Sequence, residues 1–528
     1  MKIAITGATG NMGQAVIKAL TSENYIEEIR LLSHSPKRTK KLLNKVKKLK
    51  KKTVIIEGSI ADGYACRKLV EDVDLVLNMS AVIPPKSDQS PQRAVECNEV
   101  GADVLVTVIE HLDRQPTLLH ISTVALYGNR SEPHRFGRVG DPLLVSPFDI
   151  YSATKLRGEF RVLESGIKRW AVFRQTAMLH PNMLTDNLSD GLMFHTCFDA
   201  PLEWVTAHDS GILIRNFLRR VHAADLPQTF WKRCYNIGGG AENRLYGYQT
   251  YNDGFAIIGG STTCFFSPGY NATRNFHGVW YSDSDELNEL FDFQQQTSTD
   301  YWREILKAHP IFKAGKLVPK KMIRRFAIKR LLKNYNSPAY WAKHKDIARL
   351  KAYFGGEEAY ESLQKKSWKE AFLPEKYDPA SGICDNETPV FYGYDISKQD
   401  SEITIGDLES VASAHGGRLI SEQFETGDMY AKIEWETQDG ERFVATPYTV
   451  LRAGHWYNSI YHENVWDFDR LSKKDAVFAS VWYDSHDENE NMRYSFDKNF
   501  TAHAVKFYEN SDHLLLGNGE HRESRKAV

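Results

Sequence analysis

The chain begins with Ile3-Ala4-Ile5-Thr6-Gly7-Ala8-Thr9-Gly10-Asn11-Met12-Gly13, an apolar strand that runs directly into a turn with glycine at every third position. A helix is predicted next, from Gln14 to Leu20. Glycines in such a turn let the backbone approach a dinucleotide pyrophosphate, and the helix N-terminus faces its negative charge. The stretch therefore predicts a dinucleotide-binding strand, turn and helix, with the cofactor held by Gly7, Thr9, Gly10, Asn11, Met12 and Gly13.

A second motif, Tyr151-Ser152-Ala153-Thr154-Lys155, lies much later in the chain. A Tyr and a Lys four residues apart share one face of a helix, so the ammonium group can lower the pKa of the phenol. A phenol placed in this way can exchange a proton with a substrate oxygen. Together the two motifs predict an enzyme that moves a proton and a hydride.

Short apolar strands alternate with helical stretches over the first 240 residues. This alternation is typical of an α/β protein with a Rossmann-like, doubly wound parallel sheet covered by helices on both faces. Ligands of such sheets bind beyond the carboxyl ends of the strands. The predicted strands lie near residues 2–6, 28–33, 53–57, 74–78, 117–122 and 169–174.

The order of the motifs resembles that of the extended short-chain dehydrogenase/reductases, the NAD(P)-dependent epimerase/dehydratase family. The glycine turn is followed at family spacing by Asp74–Ala81, His120–Gly128, Tyr151 with Lys155, Ala171–Arg174 and Tyr235–Gly239. The resemblance implies an NADP(H)-binding domain over residues 1–310. It also implies a small part that covers the substrate, at about 181–234 and 245–300.

The same resemblance implies the catalytic residues. Tyr151 would be the acid or base, Lys155 would hold the nicotinamide ribose and stabilise the phenolate, and Thr123, four residues before Tyr127, would orient the substrate oxygen. The alternative interpretation makes Thr123 a residue at the end of a strand and Tyr151 a core aromatic.

Further positions follow from the family pattern. Asp62 matches the position that contacts adenine, and Ser80 lies in the loop after the fourth strand, beside the cofactor. Asn98 would have a supporting structural role, and Arg174, at the end of a buried strand, is expected to be a structural ion partner.

The residues after the second strand favour NADP(H) over NAD(H). An acidic residue there would accept from the adenosine ribose, whereas basic and hydroxyl side chains accommodate a 2′-phosphate. The segment Arg30–Arg38 contains no carboxylate, and it offers Ser33, Ser35, Lys37 and Arg38 as phosphate contacts. Alternatively, Lys37 and Arg38 only begin a solvated helix.

Departures from the family pattern narrow the chemistry. Sugar 4,6-dehydratases carry an Asp-Glu pair where this chain has Val124 and Ala125, so a dehydratase is not expected. Nucleotide-sugar epimerases grip the diphosphate with an Arg that is missing from Asp199–Asp209. An aromatic substrate lining is expected instead, and its members would be Phe194, His195 (a wall residue), Phe198 and Trp204.

These features predict an NADP(H)-dependent oxidoreductase that interconverts a ketone and a secondary alcohol on a moderately apolar small molecule. Two alternatives stay open: a nucleotide-sugar-type epimerase that acts through a transient ketone, and a non-catalytic regulator that senses NADP. Such sensors commonly lack the Tyr/Lys pair.

Two basic segments could suggest other partners. In the segment 37–52, Leu42, Leu43, Val46 and Leu49 share one arc of a helix, which favours an amphipathic helix on the sheet over a nucleic-acid site. In the segment 320–333, cations and apolar residues interleave around the helix, which favours contact with the rest of the chain, or with an acidic partner, over contact with a membrane.

The rest of the chain is predicted to comprise a basic helical linker at 311–383, a small α+β module at 384–516 and a disordered tail at 517–528. Residues 415–456 resemble one treble-clef zinc module. The zinc-binding cysteines are replaced by Thr437, Tyr457 and Ile460, so the module should be metal-free.

Composition adds few constraints. The net charge is −1, six cysteines are scattered without a Cys-x-x-Cys motif, and no apolar run approaches the length of a bilayer span. With no signal peptide evident at the start, we expect a cytoplasmic protein without disulfides or metal, and the family resemblance leaves room for a homodimer.

Overall fold

The computed structural model describes residues 1–50, 52–184, 190–371, 373–383 and 388–495. The predicted tail at 517–528 and both ends of the predicted C-terminal module, 384–387 and 496–516, lie outside the described residues.

Seven parallel strands form the central sheet in the spatial order β7-β6-β5-β4-β1-β2-β3. Six of them were predicted, each to within one residue at either end. The seventh, β7, forms one edge of the sheet and was not predicted as a strand. The strands are β1 Lys2–Thr6, β2 Glu28–Ser33, β3 Thr53–Glu57, β4 Leu75–Asn78, β5 Thr117–Thr123, β6 Trp170–Gln175 and β7 Arg233–Ile237.

Helices cover both faces of this sheet, which confirms the doubly wound architecture. Alternation along β1 shows the reason: Ile3 and Ile5 belong to one apolar cluster, whereas Ala4 belongs to the other. Helices α1, α2 and α6 contribute to the first cluster, and α3, α4 and α5 to the second. Their bounds are α1 Asn11–Ala19, α2 Pro36–Lys45, α3 Gly63–Val70, α4 Gly101–Glu110, α5 Ile150–Leu163 and α6 Ala207–Ala223.

Helix α2 bears out the amphipathic interpretation of the first basic segment. Leu42 and Leu43 are buried against the sheet, Leu49 is buried in the next turn, and Lys40 and Lys41 are exposed. The lysines therefore form a solvated outer face.

Within its described residues, the part expected to cover the substrate contains α6 and further helices, and short strand pairs lie in and beside it. The pairs are Phe136–Gly137 with Trp280–Tyr281, Met178–Leu179 with Val205–Thr206, and Pro201–Glu203 with Arg244–Tyr246. The further helices include Gly247–Ala256, Thr262–Phe265, Asp285–Phe291 and Ser298–Ala308.

Residues 311–383 are largely helical and pack on their neighbours. Ile328 and Leu331 lie in an aromatic cluster with Phe194, Phe265 and Phe266, as expected for contact with the rest of the chain. The helical segments are Ile311–Ala314, Lys320–Ile323 continuing through Arg324–Ile328 to Lys329–Leu331, Pro338–His344, Ile347–Phe354 and Glu357–Lys365.

The C-terminal part shares its core with the sheet domain. Trp435 and Tyr448 belong to the same apolar cluster as Val162 and Trp170 of α5 and β6. Its elements are the helix Ile405–Ala414, the antiparallel strands β8 Arg418–Leu419, β9 Ile433–Glu436 and β10 Arg442–Ala445, the strand pair β11 Val465–Asp467 and β12 Arg493–Ser495, and the helices Phe468–Lys474 and Ala476–Trp482.

The described residues lack two kinds of feature. No helix among them is long and apolar enough to cross a membrane. They also contain no cluster of three or more His, Cys, Asp or Glu side chains that could hold a metal ion.

Candidate functional site

The glycine turn joins β1 to α1 at the carboxyl edge of the sheet. Gly7 has a φ of 70°, and a Cβ atom on it would overlap the Met79 carbonyl oxygen. A Cβ atom on Gly13 would overlap Gly7 itself. Helix α1 begins at Asn11 without a side-chain cap, which leaves its first amide groups open to an anion. This cradle fits a dinucleotide pyrophosphate.

A cavity of about 450 Å³ extends from this turn into the part expected to cover the substrate. The residues of the glycine turn that line it are Gly7, Gly10, Asn11, Met12 and Gly13, all predicted to hold the cofactor.

Thr9 and Ser80 are absent from the described residues that line this cavity. The Thr9 carbonyl accepts from Gln14 Nε2 at 3.0 Å, and the Ser80 amide donates to Thr6 Oγ1 at 3.1 Å. These two predicted cofactor contacts therefore shape the turn and the loop beside it.

The other end of the cavity contains half of the predicted aromatic lining. His195 and Trp204 line it, together with Met178, Met193, Tyr251, Phe276 and Tyr353. Phe194 and Phe198 are not among the described lining residues. Phe194 is fully buried against Phe266, and Phe198 packs on Trp368, with ring centroids 5.5 Å and 5.4 Å apart respectively.

His195 is a wall residue, as expected. Its Nε2 contacts the Asn336 carbonyl oxygen at 2.8 Å, and burial lowers its pKa to about 4. The ring is therefore neutral near pH 7.

Tyr151 and Thr123 meet at the wall of this cavity. Asp149 caps the start of α5 by accepting from the Ser152 amide at 2.9 Å, and this cap fixes the turn that carries Tyr151. Thr123 ends β5, and its side chain lies near enough to Tyr151 to act on the pKa of the phenol. Burial raises the pKa of Tyr151 to about 12, against the opposing effect of Thr123. The phenol is therefore protonated near neutral pH, so it can donate a proton.

Lys155 does not have the predicted environment. It is buried, and it is missing from the described residues that line the cavity. Its Nζ donates to the Ile121 carbonyl at 2.7 Å and contacts His120 Nε2 at 3.2 Å. Burial lowers the pKa of Lys155 to about 8, although Glu159 acts to raise it. The expected lowering of the Tyr151 pKa by this lysine is thus not found.

A buried polar chain that the sequence analysis missed connects Lys155 to the first strand. Thr6 Oγ1 donates to Asn78 Oδ1 at 2.7 Å, Asn78 Nδ2 lies 3.0 Å from His120 Nδ1, and His120 contacts Lys155. Burial lowers the pKa of His120 well below its ordinary value, and Lys155 lowers it further. The register of the strands was the available signal, because Thr6, Asn78 and His120 lie side by side on three adjacent strands.

Asn98 has the structural role that was expected of it. Its side chain accepts from the Val82 amide at 2.8 Å and donates to the Val82 carbonyl and to Thr154 Oγ1. It thereby fastens the loop after β4 to helix α5.

The cavity also holds charged residues that the sequence analysis did not select. Asp149 Oδ2 lies 3.3 Å from His277 Nδ1, and both residues line the cavity. Asp88 lines it as well, and burial raises its pKa to about 7. Among the described residues, no Lys or Arg lines this cavity.

The region predicted to select the cofactor is only partly available for contacts. Ser33 is buried, and its hydroxyl lies 2.7 Å from Thr39 Oγ1 and accepts from the Ser35 amide. The hydroxyl that was predicted to contact the phosphate therefore has partners within the protein. Ser35 is half-buried just before α2, and Lys37 and Arg38 are exposed in its first turn.

Asp62 caps helix α3. Its carboxylate accepts from the Tyr64 amide at 2.9 Å and from the Ala65 amide at 3.3 Å. Asp62, the predicted adenine contact, is thereby held at the N-terminus of α3.

Arg174 is a structural ion partner, as predicted, and its partner is Glu159 of α5. Arg174 Nη2 lies 2.6 Å from Glu159 Oε1 and donates to the Ala453 carbonyl at 2.7 Å, and both side chains of the pair are fully buried. His455 Nε2 completes the group at 2.9 Å from the same Glu159 oxygen. The C-terminal part is thereby bonded to the helix that carries Tyr151.

Part of the chain is similar to known proteins. Residues 3–166 match the model of the NAD dependent epimerase/dehydratase family. Among solved structures, the UDP-glucuronic acid 4-epimerase from Bacillus cereus, in complex with UDP-glucuronic acid and NAD, is 20% identical; the alignment covers 60% of this chain and 100% of that one, with a TM-score of 0.44. The dTDP-glucose 4,6-dehydratase from Bacillus anthracis, in complex with NAD, is 18% identical over 59% of this chain and 97% of that one, also with a TM-score of 0.44.

Proposed function

We propose that this chain, with an epimerase/dehydratase family domain at residues 3–166, is an NADP(H)-dependent oxidoreductase that interconverts a ketone and a secondary alcohol on an uncharged, moderately apolar small molecule. One observation carries the proposal: Tyr151 and Thr123 line the same cavity as the glycine turn. A proton donor and a dinucleotide cradle thus share one space.

The reduction needs one hydride and one proton. The cofactor, when bound at the glycine turn, supplies the hydride to the carbonyl carbon. Thr123 positions the carbonyl oxygen by a hydrogen bond, and Tyr151 donates its phenolic proton to that oxygen as negative charge develops there. In the oxidative direction Tyr151 must first lose its own proton, and its phenolate form then accepts the proton from the alcohol.

The lining favours an uncharged substrate. A diphosphate group on the substrate, bound away from the amide groups of the glycine turn, would bring negative charge into the part of the cavity that contains Asp88 and Asp149. Buried charge needs a partner, and the described lining residues supply no Lys or Arg. An uncharged ketone with apolar substituents meets Met178, Trp204 and Phe276 without that cost.

Epimerisation through a transient ketone is the second candidate, because the matched family includes epimerases. It uses the same Tyr151, but it returns the hydride to the substrate. The two activities differ in whether NADPH is consumed. A regulator that senses NADP without turnover would have no use for the Tyr151–Thr123 pair.

A panel of uncharged ketones and secondary alcohols tests the proposal, with the change in NADPH absorbance as readout. We expect stoichiometric NADPH consumption with at least one apolar ketone. Failure of the whole panel, combined with turnover of a nucleotide-diphosphate sugar, would overturn the proposal.

The cofactor preference gives a separate prediction. We expect NADPH to bind more tightly than NADH, and the double variant Lys37→Glu/Arg38→Glu to weaken NADPH binding roughly tenfold or more, because charge-assisted contacts to the 2′-phosphate are lost. NADH affinity should change little. Fluorescence or calorimetric titration measures both.

A matched control carries the same change of charge farther along the basic segment. Lys47→Glu/Lys48→Glu also replaces two exposed lysines, but beyond the end of α2. It should leave NADPH affinity within about twofold at physiological salt, because exposed charges beyond a screening length contribute little. Equal weakening in the two double variants would remove Lys37 and Arg38 as phosphate contacts.

A further inference from the structure

The segment between Ile305 and Lys345 has a charge pattern unlike that of the whole chain. It contains twelve Lys and Arg residues and no Asp or Glu, whereas the chain has a net charge of −1. The helix Lys320–Leu331 lies in its middle. The segment is therefore a local concentration of positive charge.

Large apolar side chains are exposed in the same place. Leu317 is 86% exposed, Ile311 77%, Phe326 63%, Met322 49% and Val318 40%. Most of the apolar side chains of a folded protein are removed from water, so five such residues within residues 311–326 require an explanation.

The buried and the exposed apolar side chains of this helix lie on two different faces. Ile328 and Leu331 are buried in the aromatic cluster with Phe194 and Phe265, and Arg324 Nη2 donates to Ser267 Oγ at 2.7 Å on this inner side. Met322 and Phe326, one turn apart, lie on the opposite side. The neighbouring cations Arg325, Lys329, Arg330 and Lys333 are exposed.

When all apolar residues of the segment 320–333 are counted, as in the sequence pattern, the helix has no single apolar face. Packing buries Ile328 and Leu331, so that Met322 and Phe326 remain exposed. Together with the exposed Ile311, Leu317 and Val318, which come just before the helix, and with the exposed cations nearby, they form what we call the basic apolar surface.

We propose that the basic apolar surface docks on an anionic lipid bilayer. Apolar side chains of this size insert at the boundary between headgroups and acyl chains, while cations stay at the level of the lipid phosphates. Nucleic acid would use the cations but would leave Leu317 and Met322 in water, and one aromatic side chain is a poor platform for base stacking.

The basic apolar surface lies close to the cavity. Ile328 and Leu331 belong to an apolar cluster against which Met193 and Tyr251 pack, and these two residues line the cavity. One packed layer thus separates the basic apolar surface from the cavity wall. An apolar substrate held in a membrane would be close to the site, although docking itself does not depend on the proposed activity.

Sedimentation of the full chain with vesicles tests the proposal. We expect binding to vesicles of phosphatidylcholine mixed with phosphatidylglycerol, little binding to phosphatidylcholine alone, and weaker binding at high salt. Met322→Asp/Phe326→Asp should lower the binding constant roughly tenfold or more, and the milder Phe326→Ser severalfold. Unchanged circular dichroism and NADPH affinity would show that the variants are folded.

The control is Lys40→Glu/Lys41→Glu, which removes more positive charge than Met322→Asp/Phe326→Asp does, on a basic helix whose apolar residues Leu42 and Leu43 are buried. It should retain vesicle binding within about twofold, apart from the small effect of net charge. Binding of duplex DNA without binding of anionic vesicles would overturn the proposal. Full vesicle binding by folded Met322→Asp/Phe326→Asp protein would do the same.

Discussion

Replacing Tyr151 by Phe should lower kcat for carbonyl reduction about a thousandfold, the middle of the range for general acid catalysis. Only the proton-donating oxygen is lost, so NADPH affinity should stay within about twofold. Because burial raises the pKa of Tyr151 to about 12, the donating form persists through the neutral range. We therefore expect no fall in the reduction rate from tyrosine ionisation below about pH 10.

Two further variants make this prediction specific. Tyr353 also lines the cavity, and Tyr353→Phe should keep kcat within a few-fold. Thr123→Val removes the positioning hydroxyl, and its kcat should lie between those of the two tyrosine variants. Steady-state kinetics with NADPH consumption as readout measures all three. Near-normal kcat in Tyr151→Phe would show that another group supplies the proton.

Glu159→Gln should destabilise the protein by about 3–5 kcal/mol, the range measured when one partner of a buried ion pair is removed. Arg174 would then be a fully buried guanidinium without a carboxylate, and His455 would lose its charged acceptor. Urea denaturation followed by circular dichroism measures the change. Adding Arg174→Met should recover part of the loss, since the unpaired charge is removed as well.

An exposed ion pair provides the control for this variant. Glu357 pairs with Lys345 on the surface, and Glu357→Gln should change stability far less than Glu159→Gln does, because solvent screens exposed ion pairs. Equal effects at Glu159 and Glu357 would contradict the assigned role of the buried group.

The stability lost in Glu159→Gln should also depend on pH. Burial acts to raise the pKa of this carboxyl group, but Arg174 and His455 outweigh it and hold the pKa well below its ordinary value. A lowered pKa in the folded state adds stability that is complete above the unfolded pKa, about 4.3, and is lost as the pH falls toward the folded pKa. The difference between wild type and Glu159→Gln should therefore shrink below about pH 4.

Local patterns predicted the sheet because each strand is short, apolar and followed by a turn signal. The exception, β7, contains Arg233 and Asn236 and lies at the edge, so its sequence has a weaker strand signal. Spacing correctly placed Tyr151 and Lys155 on one helix. Spacing did not show that Lys155 is buried, because its burial depends on contacts with the Ile121 carbonyl and His120 on β5.

The remaining differences come from long-range packing. Composition predicted an aromatic lining, but the direction of Phe194 and Phe198 depends on the cluster formed by Phe266 and Trp368. The pair formed by Glu159 and His455 joins residues 296 positions apart, which no local pattern reveals. The resemblance of the C-terminal part to a zinc module stays a prediction, and what the structure adds is its shared core with α5.

Transfer of label from NADPH deuterated at the hydride position tests the central proposal most directly. With a ketone from the active part of the panel, we predict that mass spectrometry finds one deuterium in the alcohol product for each NADPH oxidised, and that Tyr151→Phe forms almost none of this product. Inversion of a substrate centre without net oxidation of NADPH would contradict the account and would assign the same cavity to an epimerase.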